Sequence, residues 1–230
     1  MTPYEEQLVS IRTTAAVLAG IDESDHAAQV PNCPGWTVGD VIRHVAWQGP
    51  ASWIAVIEGG NPAAAIAAAV DRQPSITEAL EGLIAHLAAH DPAEPCRGFF
   101  FESDYAAWGV HCSVEIALHR TDVLAALGQP AELSASEARD GLWWSQALLE
   151  PMVEFAGVEV PAALTVVPTT GDPIHLGSGA GTATATGTAA DLVFWLWGRG
   201  GGGVEVTGDT TVAAAWSSIS GRSFQHEAIR

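Results

Sequence analysis

The sequence predicts an α+β protein, in which a bundle of four or five helices over residues 1–157 is followed by a small α/β domain over residues 158–230. Two observations support this division. The first part carries long helical periods of apolar residues that begin at capping residues. After residue 157 those periods stop, and prolines, glycines and threonines separate short segments that have the β-branched content or the alternation of strands. A chain of 230 residues is long enough for two modest domains, each with its own core.

The helices of the first part are predicted from apolar spacing and from their start signals. Thr37 with Asp40, and Ser134 with Glu137, each form a capping box, in which two side chains satisfy amide groups at the start of a helix. An alanine-rich passage after Pro62 stays unassigned. The predicted helices cover residues 3–19, 37–58, 75–89, 105–127 and 134–156.

The second part is predicted to alternate strands with short helices. Thr188 and Asp191 begin one of these helices, again with a capping pattern. The run of glycines at residues 200–203 lacks the strand, helix and Lys-Ser/Thr context of a phosphate-binding loop, which favours a flexible turn. The predicted strands cover residues 163–167, 174–176, 182–186 and 204–207, and the predicted helices cover residues 188–197 and 209–216.

Charge and composition limit the classes of partner. The chain has 27 acidic and 9 basic side chains, which gives a formal net charge of −18. Such a field repels phosphate backbones and anionic membrane surfaces, so neither nucleic acid nor a membrane is an expected partner. No signal peptide or membrane-spanning apolar run is visible, which predicts a cytoplasmic protein with reduced cysteines. The sequence does not predict the oligomeric state.

Glu115 and His119 have the spacing of metal ligands. In a helix, residues four apart lie on one face, and a carboxylate oxygen and an imidazole nitrogen are both ligands for zinc or a similar divalent ion. His44, at the margin of the apolar stripe of the second predicted helix, is the expected third ligand, because facing helices of a bundle commonly build such sites. The alternative interpretation of the pair is a surface ion pair.

Other residues with suitable chemistry lie near these three. His111 is one turn before Glu115 and is left outside the predicted ligand set. Cys33 and Cys112 are close in sequence to the predicted ligands, although a small buried apolar residue is the favoured interpretation of each. A second histidine pair, His86 and His90, is interpreted as a solvated helix end.

Three stretches, taken in order, resemble a known family. They are P-N-C-P-G-W-T-V-G-D-V-I-R-H at 31–44, E-I-A-L-H-R-T-D at 115–122 and D-L-V-F-W-L-W-G-R at 191–199. The chain thereby resembles the mycothiol-dependent maleylpyruvate isomerase family of actinobacteria, over nearly its whole length. The resemblance implies a DinB-like metal-binding bundle followed by a small α/β domain of the isomerase type.

The resemblance also implies a function. A site of His44, Glu115 and His119 would hold zinc, or another divalent metal, with mycothiol as the thiol cosubstrate, and a thiolate would attack an electrophilic small molecule. In the family's isomerase, addition of the thiolate to the cis double bond of maleylpyruvate permits rotation, and elimination follows. Arg199, at the end of W-L-W-G-R, is the predicted catalytic arginine for an anionic substrate; the alternative is a helix cap.

The predicted enzyme is therefore a mycothiol-dependent isomerase or thiol transferase. Two other classes stay open at this point. The metal could activate water in a hydrolase, or the bundle could be a metal-binding regulatory module without catalysis. Dependence on an added thiol separates the three.

Overall fold

The computed structural model describes residues 1–100, 102–156, 162–179 and 181–219, with the side chains of residues 154–156 outside the description. These residues form two compact units, of which the first ends at Glu137 and the second begins at Ala138. The first unit is mainly helical, and the second contains a small sheet with helices. The predicted α+β class, with a helical part before a small α/β part, is confirmed.

The helices of the N-terminal unit follow the predicted ones closely, except in the second predicted helix. The unassigned alanine-rich passage is also helical, and the side chain of its N-cap Asn61 accepts a hydrogen bond from the Ala64 amide. A short antiparallel hairpin precedes the last helix. The elements are α1 (Pro3–Ala19), α2 (Val38–Arg43), α3 (Gly49–Ile57), α4 (Pro62–Arg72), α5 (Ile76–Ala88), β1 (Pro95–Arg97), β2 (Glu102–Asp104) and α6 (Tyr105–Ala126).

Helix α6 is the buried centre of this unit, and it packs against α1, α2 and α5. Its Ile116 and Leu118 side chains have no exposed surface. Helix α1 approaches α6 closely at Gly109, where an added Cβ would lie 2.5 Å from Oε1 of Gln7 and 2.8 Å from the ring of Tyr4. The missing side chain therefore permits the contact between the two helices.

The segment predicted as one helix over residues 37–58 is interrupted. It begins as predicted, because the Asp40 amide donates to Thr37 Oγ1 and the Thr37 amide donates to Asp40 Oδ2. After α2, however, His44–Gln48 form a π turn, in which the Gly49 amide donates to the carbonyl of His44. Pro50 has no amide hydrogen for the carbonyl of residue 46, so an ordinary α-helical bond is missing there. The wider turn is the physical reason for the difference.

A four-stranded sheet forms the centre of the C-terminal unit. Its strand order is β4-β3-β5-β6, with β3 and β5 parallel and the other neighbours antiparallel. Helices α8 and α9 pack against β3 and β5, and every predicted strand and helix of this part is confirmed to within one residue. The elements are β3 (Leu164–Pro168), β4 (Ile174–Leu176), β5 (Ala183–Gly187), α8 (Ala189–Leu196), β6 (Glu205–Gly208) and α9 (Thr210–Ser217).

Most of the helix α7 (Ala135–Ala156) belongs to the C-terminal unit. Its Trp144 stacks on Trp197 with ring centroids 4.1 Å apart, and the Trp197 indole donates to Ser145 Oγ at 2.7 Å. The compact units therefore divide earlier than the predicted boundary at residue 157, which lies outside the described residues. That boundary stays a prediction.

None of the helices that the structure describes combines the length and the apolar character that are needed to cross a membrane.

Candidate metal centre

Helix α6 places Glu115 and His119 one turn apart on the same face. Nε2 of His119 lies 3.3 Å from Oε1 of Glu115, and the two side chains are 9% and 18% exposed. They lie in the middle of a 22-residue helix whose other residues are largely buried. The two side chains form an ion pair, but because the pair is mostly covered, the alternative interpretation is wrong in placing it at the surface.

The π turn places His44 beside this pair. Its Nε2 lies 3.8 Å from Oε1 of Glu115, and its ring centroid lies 4.9 Å from that of His119. A π turn widens a helix by one residue and occurs frequently at functional sites, because it changes the direction of the side chains that it contains. The three residues predicted from the sequence are thus brought together around the Glu115 carboxylate.

Each imidazole has an outer partner at its other nitrogen. Nδ1 of His44 lies 2.9 Å from Oε1 of Gln48, and Nδ1 of His119 lies 3.2 Å from Oδ2 of Asp122. With an amide or carboxylate oxygen as acceptor, Nδ1 carries the hydrogen in the neutral ring and Nε2 keeps its lone pair. Both Nε2 atoms that face Glu115 are therefore available as ligands.

Asp122 is itself held by the loop before α2. The carboxylate has no exposed surface. Asn32 donates to its Oδ1 at 3.1 Å, and the thiol of Cys33 lies 3.5 Å from its Oδ2. A buried carboxylate is stable only with such partners. The loop thus fixes the group that orients His119.

The electrostatics of the group favour a positive charge where the three donors meet. Burial alone would raise the pKa of Glu115, but hydrogen bonds from His119 and His44 hold that pKa well below its ordinary value. Burial alone would lower the pKa of His119, yet its contacts with Asp122, Cys33 and Glu115 raise that pKa well above its ordinary value. The carboxylate is therefore ionised, and the imidazole next to it attracts a proton.

The donor set fits a divalent metal. The ligand atoms of His44, Glu115 and His119 all lie within 4.8 Å of one another. Bonds of about 2.0–2.1 Å in a tetrahedral site separate the ligand atoms by about 3.4 Å, close to the 3.3 Å and 3.8 Å found here. Two imidazoles and one carboxylate are also ligand types that zinc accepts.

A second group of potential ligands, Cys33, His119 and Asp122, also meets within 4.8 Å. Both groups include the imidazole of His119, but Asp122 of the second group lies at Nδ1, whereas Glu115 of the first lies at Nε2. Its carboxylate already accepts from Asn32 and from the thiol. These atoms are engaged with one another, so the group of His44, Glu115 and His119 is the better candidate for a metal.

His111 lies outside the group of His44, Glu115 and His119. It is not part of either potential ligand group among the described residues. Its ring lies 5.2–5.3 Å from the rings of Trp53, Phe99 and Trp108. Burial in this aromatic surrounding lowers the pKa of His111 to about 4, so the ring is neutral at ordinary pH. With these three aromatic side chains His111 forms a cluster, one helical turn before Glu115 in α6.

Cys33 lies against the candidate centre, where its thiol is 3.5 Å from Oδ2 of Asp122 and also contacts the ring of His119. Cys112 has no exposed surface, and burial raises its pKa well above the ordinary value. The interpretation of Cys112 as a small buried apolar residue is therefore confirmed.

The arginines of the predicted motifs have separate partners. Arg43 pairs with Asp40 at 2.6 Å, and Arg120 makes a buried ion pair with Glu137 at 2.9 Å. Arg199 follows α8 in the C-terminal unit, where its guanidinium donates to the carbonyl of Trp197 at 3.0 Å. The geometry is that of a helix cap, and the catalytic role of Arg199 stays a prediction.

The sequence reasoning missed Gln48, Asp122 and Trp36 as neighbours of the centre. The sequence contains a signal for Asp122, since a residue three positions after His119 lies on the same helix face. Gln48 follows His44 by four residues and gives the same kind of signal. Trp36, whose ring lies 5.2 Å from that of His44, ends a Pro-Gly turn.

Both parts of this chain are similar to domains of known proteins. The family model of the mycothiol maleylpyruvate isomerase N-terminal domain matches residues 9–124, and that of the MDMPI C-terminal domain matches residues 145–215. Two solved structures, of the mycothiol-dependent maleylpyruvate isomerase and of a variant with one histidine replaced by alanine, each have a TM-score of 0.58 and 16% identity. Each match covers 90% of this chain and 95% of the other. At this identity the likeness shows the fold. No curated protein matches the chain.

Proposed function

Because the chain belongs to the mycothiol-dependent maleylpyruvate isomerase family, we propose that it is a metal-dependent and mycothiol-dependent enzyme. Its substrate is an electrophilic small molecule. The reaction is either cis–trans isomerisation of a maleylpyruvate-type double bond or transfer of the sulfur to the electrophile. The observation that carries this proposal is the meeting of His44, Glu115 and His119, at 3.8 Å and 3.3 Å from one carboxylate oxygen.

The three side chains would hold the metal, with zinc as the proposed ion. Bound by two neutral imidazoles and one carboxylate, a divalent cation would keep a net positive charge and an open position, and would stabilise a thiolate there at neutral pH. Glu115 supplies the single negative charge of the set. Gln48 and Asp122 keep the hydrogen of each imidazole on Nδ1, so that both Nε2 atoms face inward.

The thiolate of the cosubstrate is the nucleophile of the proposed reaction. In the isomerisation, its sulfur adds to one carbon of the cis double bond, rotation follows about the new single bond, and loss of the sulfur restores the double bond in the trans form. The thiol is regenerated, so it is needed in catalytic amount. In the transfer reaction the bond from sulfur to carbon remains, the electrophile releases its leaving group or, where it is a double bond, takes up a proton, and the thiol is consumed.

Thiol dependence tests the proposal directly. The metal-loaded protein is incubated with mycothiol, with glutathione or with no thiol, using maleylpyruvate and a simple alkylating electrophile as substrates. We expect turnover with mycothiol and little without it. Equal rates with and without thiol would exclude the proposal in favour of a hydrolase, and no turnover under any condition would favour a metal-binding module.

The two proposed reactions differ in their products. Turnover of maleylpyruvate without loss of free thiol supports the isomerase. Loss of one free thiol per turnover with the alkylating electrophile, without turnover of maleylpyruvate, supports the transferase. The Glu115→Ala variant is the control for the metal centre, because the same rate in that variant would separate the activity from this site.

A further inference from the structure

A tight turn before α2 fixes the position of Trp36. The Trp36 amide donates to the carbonyl of Cys33 at 2.9 Å, with Pro34 and Gly35 between them. Gly35 has φ +84°, and proline followed by a residue with positive φ is the pattern of a type II turn. The Trp36 carbonyl in turn accepts from the Val30 amide at 3.0 Å. The backbone of Trp36 is therefore held on both sides.

This turn directs the indole against both histidines of the candidate metal centre. The Trp36 ring meets His44 at a centroid distance of 5.2 Å and an interplanar angle of 61°. It lies nearly parallel to the ring of His119, at 6.3 Å and 14°. Because the two imidazoles are themselves 4.9 Å apart at 74°, the three rings form one cluster.

The cluster restricts a motion that the hydrogen bonds leave free. Rotation of an imidazole about its last side-chain torsion is broad and nearly two-fold. The outer partners Gln48 and Asp122 fix which nitrogen carries the hydrogen, but a ring can still swing about such a bond. A rigid indole packed against both rings limits this swing.

We propose that Trp36 is a positioning residue of the metal centre, which holds the ring planes of His44 and His119 so that both Nε2 atoms face Glu115. The inference rests on the metal centre proposed above. It extends the centre to a residue that is neither a ligand nor a hydrogen-bond partner of one. The indole also packs against the hydrophobic core of the N-terminal unit, so its effect on metal affinity is measured separately from its effect on stability.

The test compares Trp36→Ala, Trp36→Leu and Trp36→Phe with the wild-type chain, using Zn²⁺ and Co²⁺ as probes. Zn²⁺ dissociation constants are measured by competition with a chromophoric chelator, and the visible absorption of the Co²⁺ form reports ligand geometry. Thermal unfolding of the metal-free proteins checks the fold. Trp143→Ala, which removes an exposed indole from the C-terminal unit, is the matched control.

We expect Trp36→Ala and Trp36→Leu to weaken Zn²⁺ binding about tenfold, as loss of an outer partner of a metal ligand does, and to change the Co²⁺ spectrum. Trp36→Phe keeps a ring in contact and should stay within about threefold of wild type by the same argument. Trp36→Leu gives the answer where Trp36→Ala fails to fold. Wild-type affinity and spectrum in the leucine variant, or equal losses in the phenylalanine and leucine variants, would overturn the proposal.

His44→Ala, measured in the same titration, separates this inference from the proposed function. Undiminished Zn²⁺ affinity in His44→Ala overturns the metal centre and, with it, the role of Trp36. Weakened binding in His44→Ala together with wild-type binding in the leucine variant overturns the role of Trp36 alone.

Discussion

Oδ2 of Asp122 lies 3.2 Å from Nδ1 of His119, the ring nitrogen that does not face Glu115. The two residues lie within one turn of α6, and the carboxylate of Asp122 has no exposed surface. It fixes the hydrogen of the neutral imidazole on Nδ1, and the carboxylate makes the ring a more basic ligand. The candidate centre thus includes an anion that is not one of its three ligands.

Replacing this anion should weaken metal binding without removing a ligand. We expect Asp122→Asn to raise the Zn²⁺ dissociation constant about tenfold or more, because partners of metal-bound histidines typically contribute 10–100-fold. Chelator competition at constant pH measures it. Glu81→Gln removes one negative charge from an exposed pair with Arg12 and is the control for net charge. An unchanged constant in Asp122→Asn would show that the carboxylate does not support the centre.

Metal content should distinguish the three candidate ligands from His86 and His90, a histidine pair with the same four-residue spacing. We expect elemental analysis to find about one zinc per wild-type chain, and His44→Ala, Glu115→Ala and His119→Ala to lose it on dialysis, because a site with two remaining ligands binds weakly. The control is His90→Ala, from the pair His86 and His90, which should retain the metal. Full retention by all three ligand variants would contradict the site.

The sequence predicts the candidate ligands because the spacing that indicates them is local. Glu115 and His119 need only a helix to lie on one face, and the apolar period of α6 supplies it. The capping box at Thr37 likewise fixes the start of α2. Such short-range features depend on backbone bonding and side chains a few residues apart, which a single sequence displays.

The rest of the centre depends on contacts that are remote in sequence or on unusual backbone geometry. Asn32 and Asp122 are separated by 90 residues, and nothing in either segment alone pairs them. The π turn at His44–Gln48 departs from the regular helical period that a helical wheel assumes, so the apolar pattern does not reveal it. The division of the compact units at Glu137 likewise reflects tertiary packing of α7 rather than its helical period.

Metal binding should weaken as pH falls. Without a metal, burial would lower the pKa of His119, but contacts with Asp122, Cys33 and Glu115 raise that pKa well above its ordinary value, which favours the form of the ring that holds a proton. A metal must displace that proton, which means that lower pH favours the metal-free form. We expect the apparent dissociation constant to rise by about tenfold for each pH unit of decrease wherever the metal-free His119 is protonated, neutral pH included.

The proton can also be counted. Calorimetric titrations with zinc in two buffers of different ionisation enthalpy should show a proton released on binding at neutral pH, and less release in His119→Ala. A dissociation constant that is independent of pH, with no proton released, would contradict the assignment of His119 as a ligand.

The buried ion pair of Arg120 and Glu137 should stabilise the N-terminal unit. Two hydrogen bonds of 2.9 Å and 3.0 Å join the side chains, which are 10% and 4% exposed. Removing one partner leaves a buried charge without compensation, so Arg120→Ala should lower the free energy of unfolding by about 3 kcal/mol. Urea unfolding measures the change. The matched control is Arg12→Ala, which removes an arginine from an exposed pair and should have little effect.

The same pair predicts a dependence of stability on pH. Burial alone would raise the pKa of Glu137, but hydrogen bonds from Arg120, Ser10 and the backbone lower it below its ordinary value of 4.5. A lowered pKa in the folded state gives stability that is present above 4.5 and is lost as pH falls through the folded value. Glu137→Gln should therefore flatten the acid limb of the unfolding profile, and an unchanged limb would contradict this contribution.

The Arg199→Ala variant tests whether a residue of the C-terminal unit takes part in the proposed reaction. Arg199 closes the W-L-W-G-R motif and is the predicted partner of an anionic substrate, while its guanidinium donates to the carbonyl of Trp197. A charged hydrogen bond contributes about 1.5–3 kcal/mol, so Arg199→Ala should lower kcat/KM for maleylpyruvate by about 10–100-fold with the zinc content unchanged. Arg43→Ala is the control, and its rate should stay near wild type. A wild-type rate in Arg199→Ala, with a small loss of thermal stability, would leave Arg199 as the cap of α8.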